Sequence, residues 1–362
     1  AKNKSSALAK LIQEGNIYDT YTKDKGELHP WSTWPTVHRG ITNEYHKIQF
    51  INQDLSYASK WPPIWKVLSD KGIRIGIFGS LQSYPPIINK NVDFFIPDTF
   101  SPTNEAYPKL GQRFQNLNLL LAGKNKAISR GFDLKDIKEF IFLFLNGGFK
   151  ISSLIKIINH VFKEILNKNF LKRRSLMQPI VGFDIYMKLL KDTKPQFSTF
   201  FTNHVAGMMH RYWKETFPED FGLEHKKVNK FNSKSIFKAL DIADQQLSQL
   251  IRFSEKHNYN IWILSSMGQD YVERGDYIPE IFIKNLDKVF DKLGLKSELY
   301  KVLPAMQPDL CVECNSKEAF EDLSKNIYRV KDSFGNSILP IRYTNSGLKL
   351  NLSILNSSSI SE

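Results

Sequence analysis

Cysteine is nearly absent: the 362-residue chain has two, Cys311 and Cys314. A lone C-x-x-C is either a redox pair or half of a zinc site. Here it sits in "PDLCVECNS", which alternates like a strand and has no second pair, so it reads as two buried reduced thiols. So few cysteines suit a reducing compartment, and a cytoplasmic location is favoured. Long apolar runs are missing too. "FIFLFLNGGF" (140–149) is the nearest approach, and Gly147-Gly148 closes it well short of a membrane span. No secretory signal is visible. The chain opens at Ala1 on "SSALAKLIQEG", a helical pattern, and reads as a fragment or processed product. There is no P-loop, zinc finger or G-x-G-x-x-G. No interleaving of basic and aromatic residues marks a nucleic-acid module, so none is expected as a partner. No internal repeat is found, and no histidine follows His257.

What is present is ample aromatic material, 26 Phe and 14 Tyr, and a formal net charge of +13. The first supplies a sizeable core, and the length suits one large α/β domain with a small one attached. The second favours acidic partners, although lysines this scattered also suit a biased composition. Short apolar runs alternate with helical periods. "IRIGIFGS" (73–80) and "VDFFIPDTF" (92–100) read as buried parallel strands, with further strands expected at 179–183, 197–202 and 258–268. Helices are expected at 5–14, 56–72, 133–145, 151–168, 184–191, 203–214 and 234–257. In the tail, a strand and a helix capped by Ser316 precede a hairpin turning at Asn345-Ser346-Gly347. This pattern predicts a mostly parallel, doubly wound sheet over 1–300, a small α+β appendage over 301–355 and a disordered tail over 356–362.

In doubly wound sheets ligands bind beyond the carboxyl ends of the strands. Three polar stretches lie there. "STWPTVH" offers the hydroxyls of Ser32, Thr33 and Thr36. "TNHVAGMMHRYW" puts Asn203 and His210 on one helix face, with His204 turned away. "ILSSMGQD" offers Ser265, Ser266 and Asp270. Asp98 ends the second strand, and "LKRRS" (171–175) presents Arg173, whose guanidinium suits an acidic ligand.

The order of these stretches resembles the alkaline phosphatase superfamily, most closely type I phosphodiesterases and nucleotide pyrophosphatases, with sulfatases more distant. "RGITNEYHKI" (39–48) is similar to the end of that family's nucleophile loop, with Gly40, Glu44, His46 and Ile48 in register. "TWP" (33–35) is similar to the tripeptide that carries the phosphodiesterase threonine, and "SSMG" (265–268) takes the place of the family's S-D-H-G. The resemblance covers residues 5 to 285 and implies a three-layer α/β sandwich with a two-zinc site for phosphate or sulfate esters. In such a site one metal activates the nucleophile and both stabilise the transferred group.

The chain departs from the family where the metals should bind. Ser266 and Met267 replace an Asp and a His, Asn203 replaces another Asp, and Gly207 falls where a His is due. The first-strand Asp would precede Ala1, and the late His is missing. Hydroxyl and thioether are poor zinc ligands. The expectation is therefore a degenerate, metal-free relative that binds a phosphate- or sulfate-bearing small molecule or glycan without hydrolysing it, through Asn203, His204, Ser266, Asp98 and Arg173. The alternative is a hydrolase with a rebuilt site. Thr33 would be its nucleophile, His210 would assist, and any zinc or other divalent metal would sit among Asn203, His210 and Asp270.

Overall fold

The computed structural model describes residues 6–26, 28–51, 53–123, 141–272, 281, 283–303, 305, 309–345 and 348–355. The chain is mixed α/β, with a three-stranded parallel sheet and a small antiparallel one. It divides into two compact units. One comprises Ala1–Lys23, Phe144–Lys194 and Phe200–Glu273; the other comprises Asp24–Leu143, Pro195–Thr199 and Arg274–Glu362.

The second unit carries the parallel sheet, in the order β2-β1-β3, from β1 (Ile75–Phe78), β2 (Val92–Ile96) and β3 (Phe197–Phe200). All four residues of β1 are buried, as a central parallel strand requires. Its register with β2 sets Gly76 against Phe94 so closely that a Cβ on Gly76 would lie 2.3 Å from the ring. Trp65, on the helix Ile64–Asp70, packs with Ile75, Ile77, Val92 and Phe95 into one core. That helix starts after Pro63 and ends before Gly72, whose φ of +83° is a conformation glycine takes freely.

The antiparallel sheet has the order β4-β5-β7-β6, from β4 (Tyr300–Leu303), β5 (Asp309–Cys314), β6 (Ile341–Asn345) and β7 (Lys349–Ser353). Leu310, Val312, Leu350 and Leu352 pack with Ala319 and Leu323 of the helix Lys317–Asn326, which Ser316 caps by accepting from the Ala319 amide at 3.1 Å. Cys311 and Cys314 are both buried on β5. Third neighbours on a strand face opposite sides, so the pair is not half of a metal site.

The first unit is helical among its described residues. Its longest helices are Ile151–Leu166, Met177–Thr193 and Ser235–His257, with His204–Thr216 beside them. Leu176, Met208, Tyr212, Ile236 and Ala239 form a core there.

Several expectations need correction. Residues 179–183 are not a strand but lie inside the helix Met177–Thr193, whose Pro179 falls in the first turn, where its missing N–H breaks no bond. Residues 258–268 form no strand, and Trp262 is 81% exposed. The stretch read as a nucleophile loop is the helix Pro30–Arg39 followed by the short helix Asn43–His46. Most of the expected helix 133–145, the turn residues 346–347 and the tail 356–362 lie outside the described residues. Among the described residues no helix is long and apolar enough to cross a membrane.

Candidate functional site

The helix Pro30–Arg39 is framed by two backbone signals. Pro30 occupies its first position, where proline's fixed φ and missing N–H cost nothing. Gly40 ends it at φ +68°, with its amide bonded to the Thr36 carbonyl at 2.8 Å. Positions three and four apart on a helix share a face. Thr36 therefore stands with Arg39, and Thr33 belongs one turn earlier.

Thr36 is the hydroxyl at the centre of a polar cluster. Its Oγ1 lies 2.8 and 2.7 Å from the two carboxylate oxygens of Asp24 and 2.9 Å from His46 Nε2. Each partner is braced. Asp24 Oδ1 accepts from the Asn43 amide at 2.8 Å, and the Asn43 side chain clasps the backbone of Lys25 through bonds of 3.1 and 2.8 Å. His46 is 1% exposed, and its Nδ1 accepts from the Ile48 amide at 2.9 Å. A neutral ring that accepts at Nδ1 carries its proton on Nε2. His46 therefore donates to Thr36, and Thr36 donates to Asp24. Burial lowers the His46 pKa to about 4, against the pull of Asp24 and with a further push from Arg39, so the ring is neutral at pH 7. The order differs from a Ser-His-Asp triad, because the carboxylate touches the hydroxyl directly.

Arg39 supplies the positive charge beside this cluster. Its Nη1 donates to the carbonyls of Ala58, at 2.8 Å, and Trp61. Burial lowers its pKa to about 10, which leaves it cationic at neutral pH. No carboxylate among the described residues pairs with it, and its Nε and Nη2 make no hydrogen bond to them. That edge of a guanidinium is the one that grips an oxyanion in two parallel bonds.

The residues expected from sequence fare differently. Thr33 is 1% exposed, and its hydroxyl donates to the His29 carbonyl at 3.1 Å, which does not present a nucleophile to an ester in solution. Asp98, 6% exposed, accepts from the Phe100 amide at 2.8 Å. Burial raises its pKa to about 6 against the amides that surround it, and it serves to fold its own loop.

In the other unit, Arg173 is 9% exposed, donates to Ser235 Oγ at 3.1 Å and to the Phe231 carbonyl, and stacks 3.7 Å over the Phe231 ring. Its Nε, its Nη2 and one face of its guanidinium are engaged in tying elements together. His204 is buried between the Thr202 hydroxyl (2.7 Å) and the Ala239 carbonyl (3.1 Å), so both ring nitrogens are occupied. Its pKa is lowered by burial to about 4. Asn203 is exposed at the start of the helix His204–Thr216, His210 is exposed with Nε2 3.0 Å from Gln269 Nε2, and Ser266 is half-buried. Asp270 is exposed and accepts from the adjacent Tyr271 amide at 2.8 Å.

The zinc pair implied by the resemblance does not fit the residues present. Among the described residues no group of three or more His, Cys, Asp or Glu stands together. The imidazole nearest Asp24 turns a protonated nitrogen toward Thr36, and freeing it for a metal would forfeit the bond from Ile48. No family model, curated protein or solved structure matches the chain.

Sequence reasoning missed Asp24 and Arg39 and passed over Thr36 for Thr33. The caps Pro30 and Gly40 were the signal for a helix, and a helix puts Thr36 and Arg39 side by side. Nothing in the sequence marked Asp24, twelve residues before Thr36 in an irregular stretch.

Proposed function

We propose that the chain is a metal-free relative of the alkaline phosphatase superfamily that binds a phosphate- or sulfate-bearing ligand without hydrolysing it. The fold proposed is that family's three-layer sandwich. It is supported by the parallel order β2-β1-β3 and by the polar residue Ser80 just beyond the end of β1, whose Oγ meets Oγ1 of Thr199 on β3 at 2.9 Å.

The observation that carries the functional reading is the Arg39 guanidinium, held by the Ala58 and Trp61 carbonyls. Its charge is felt by His46, and among the described residues its Nε and Nη2 make no hydrogen bond and it has no carboxylate partner. Hydrolysis asks for more. The negative charge that grows on the ester oxygens needs several cationic groups, and Asp24 adds repulsion instead. One arginine suffices to hold an oxyanion but leaves the transferred group poorly stabilised.

The second reading, a rebuilt hydrolase, is favoured by one contact. Asp24 lies 2.7 Å from the Thr36 hydroxyl and could take its proton during attack. On that reading the nucleophile is Thr36 in place of Thr33.

The test is to incubate the chain with p-nitrophenyl phosphate, its diester and p-nitrophenyl sulfate, measuring binding and nitrophenol release separately. Binding with no release supports the first reading. Release abolished by Thr36→Ala and kept by Thr33→Ala selects the second. Absence of both overturns the proposal.

A further inference from the structure

The helix Ile151–Leu166 is built inside out. Ile151, Ile155, Ile158, Phe162 and Ile165 recur at helical spacing on one face, and each is 57% exposed or more. The opposite face is buried and polar: Ser153, His160 and Glu164 are 5 to 9% exposed. Glu164 accepts from Arg174 Nε at 3.0 Å and lies 3.2 Å from His160 Nε2, and the Lys150 amide at the helix start donates to Asp184 at 3.1 Å. An ordinary surface helix buries its apolar stripe and solvates its charges. Here the polar contacts fix the helix by its charged side and leave a continuous apolar stripe in water, a feature that marks an interaction surface.

The charge around the stripe says what covers it. Between Phe144 and Met177 the chain has five lysines and two arginines against one acid, Glu164. None of Lys150, Lys156, Lys163, Lys168 and Lys172 forms a salt bridge among the described residues, although the Asp184 carboxylate is near enough to Lys150 to attract its charge. Lys150 and Lys156 donate to the side-chain oxygens of Gln249 and Gln245. A second copy on this face would set lysines against lysines. At about 1.5 Å per residue the 16-residue helix is about 24 Å long, short of a bilayer core. An apolar stripe flanked by lysines that form no salt bridge, on a helix too short to span, is the pattern of a helix lying in a membrane interface.

We propose that the helix Ile151–Leu166 lies flat on an anionic lipid bilayer, with its isoleucine and phenylalanine stripe at the acyl boundary and its lysines among the headgroups. This rests on a different surface from the ligand reading above and stands without it.

The test is flotation of the full chain with vesicles of phosphatidylcholine, with and without phosphatidylglycerol. The expected result is binding to the anionic vesicles alone, weakening with salt. A Phe162→Trp variant should show blue-shifted emission on binding. Phe162→Glu and Ile155→Glu, at exposed positions, should each weaken binding at least about tenfold, the scale of one apolar side chain returned to water. Lys156→Gln and Lys163→Gln should each cost about fivefold. Circular dichroism melts matching wild type establish that the variants are folded. No flotation at low salt, equal binding to neutral vesicles, or binding indifferent to Phe162→Glu would each overturn the proposal. So would a dimer in sedimentation that Phe162→Glu dissociates without any effect of lipid.

Discussion

Replacing Thr36 with valine keeps the shape of the side chain and removes one oxygen. In the folded chain that oxygen accepts from the His46 Nε2–H at 2.9 Å and donates to Asp24 at 2.7 Å. A hydrogen bond to a charged group contributes about 1.5–3 kcal/mol, and an orphaned buried donor costs about 1–3 kcal/mol. Asp24 is half-buried, so water replaces part of the first loss. His46 is 1% exposed, so little replaces the second. The two overlap because they share an atom, and Thr36→Val should destabilise by about 3 kcal/mol. Thr33→Val is the control. Its hydroxyl bonds a carbonyl that still accepts from the Ser32 and Thr33 amides, both at 2.9 Å, so its loss should cost about 1 kcal/mol or less. The assay is urea unfolding followed by tryptophan emission, since Trp31, Trp34, Trp61 and Trp65 all lie in the unit that holds the site. Thr36→Ser should recover most of the loss. Equal destabilisation by the two valine variants would refute the hydroxyl cluster.

Four further outcomes follow from the structure. His46 and His204 are both held near pKa 4, so the unfolded chain takes up their protons first as pH falls from about 6.5 to 4. Stability should drop across that window by about 3 kcal/mol per ring, and NMR titration should find both rings unprotonated at pH 5; midpoints near 6.5 would contradict this. Asp98, raised to about 6, acts in the opposite sense. Its contribution falls as pH rises from about 4 to 6, and its carboxyl carbon should titrate in that range. Arg173→Ala should destabilise by about 3 kcal/mol, because Ser235, fully buried, loses its partner, while ligand binding by the other unit should be unchanged. Gly76→Ala should cost about 2 kcal/mol or more in urea unfolding, since the new methyl would meet the Phe94 ring.

Much of the fold was legible because burial and period agree. The apolar runs of β1 and β2 sit between turn residues, and both are strands. The second half of the helix Met177–Thr193 was expected, but its start was hidden because ten of the helix's residues are buried, which blurs the helical period, and "PIVGF" has the composition of a strand. The run "IWILSS" misled in the other direction. It has the composition of a strand, but its side chains are exposed and no strand pairs with it among the described residues. The site was legible only in outline. His46 was picked out with the stretch around it, but two prolines and several β-branched residues argued against a helix over 30–39. Without the helix, Thr33 and Thr36 are equivalent hydroxyls. The geometry separates them, one onto its own backbone and one onto Asp24 and His46.

The most direct test of the account is calorimetric titration of the chain with inorganic phosphate and with sulfate, in a chelating buffer. The account predicts saturable binding that survives Thr33→Ala and weakens at least about tenfold in Arg39→Lys, which keeps the charge but loses the two-pronged edge. No binding by the wild-type chain, or equal binding by Arg39→Lys, would contradict it.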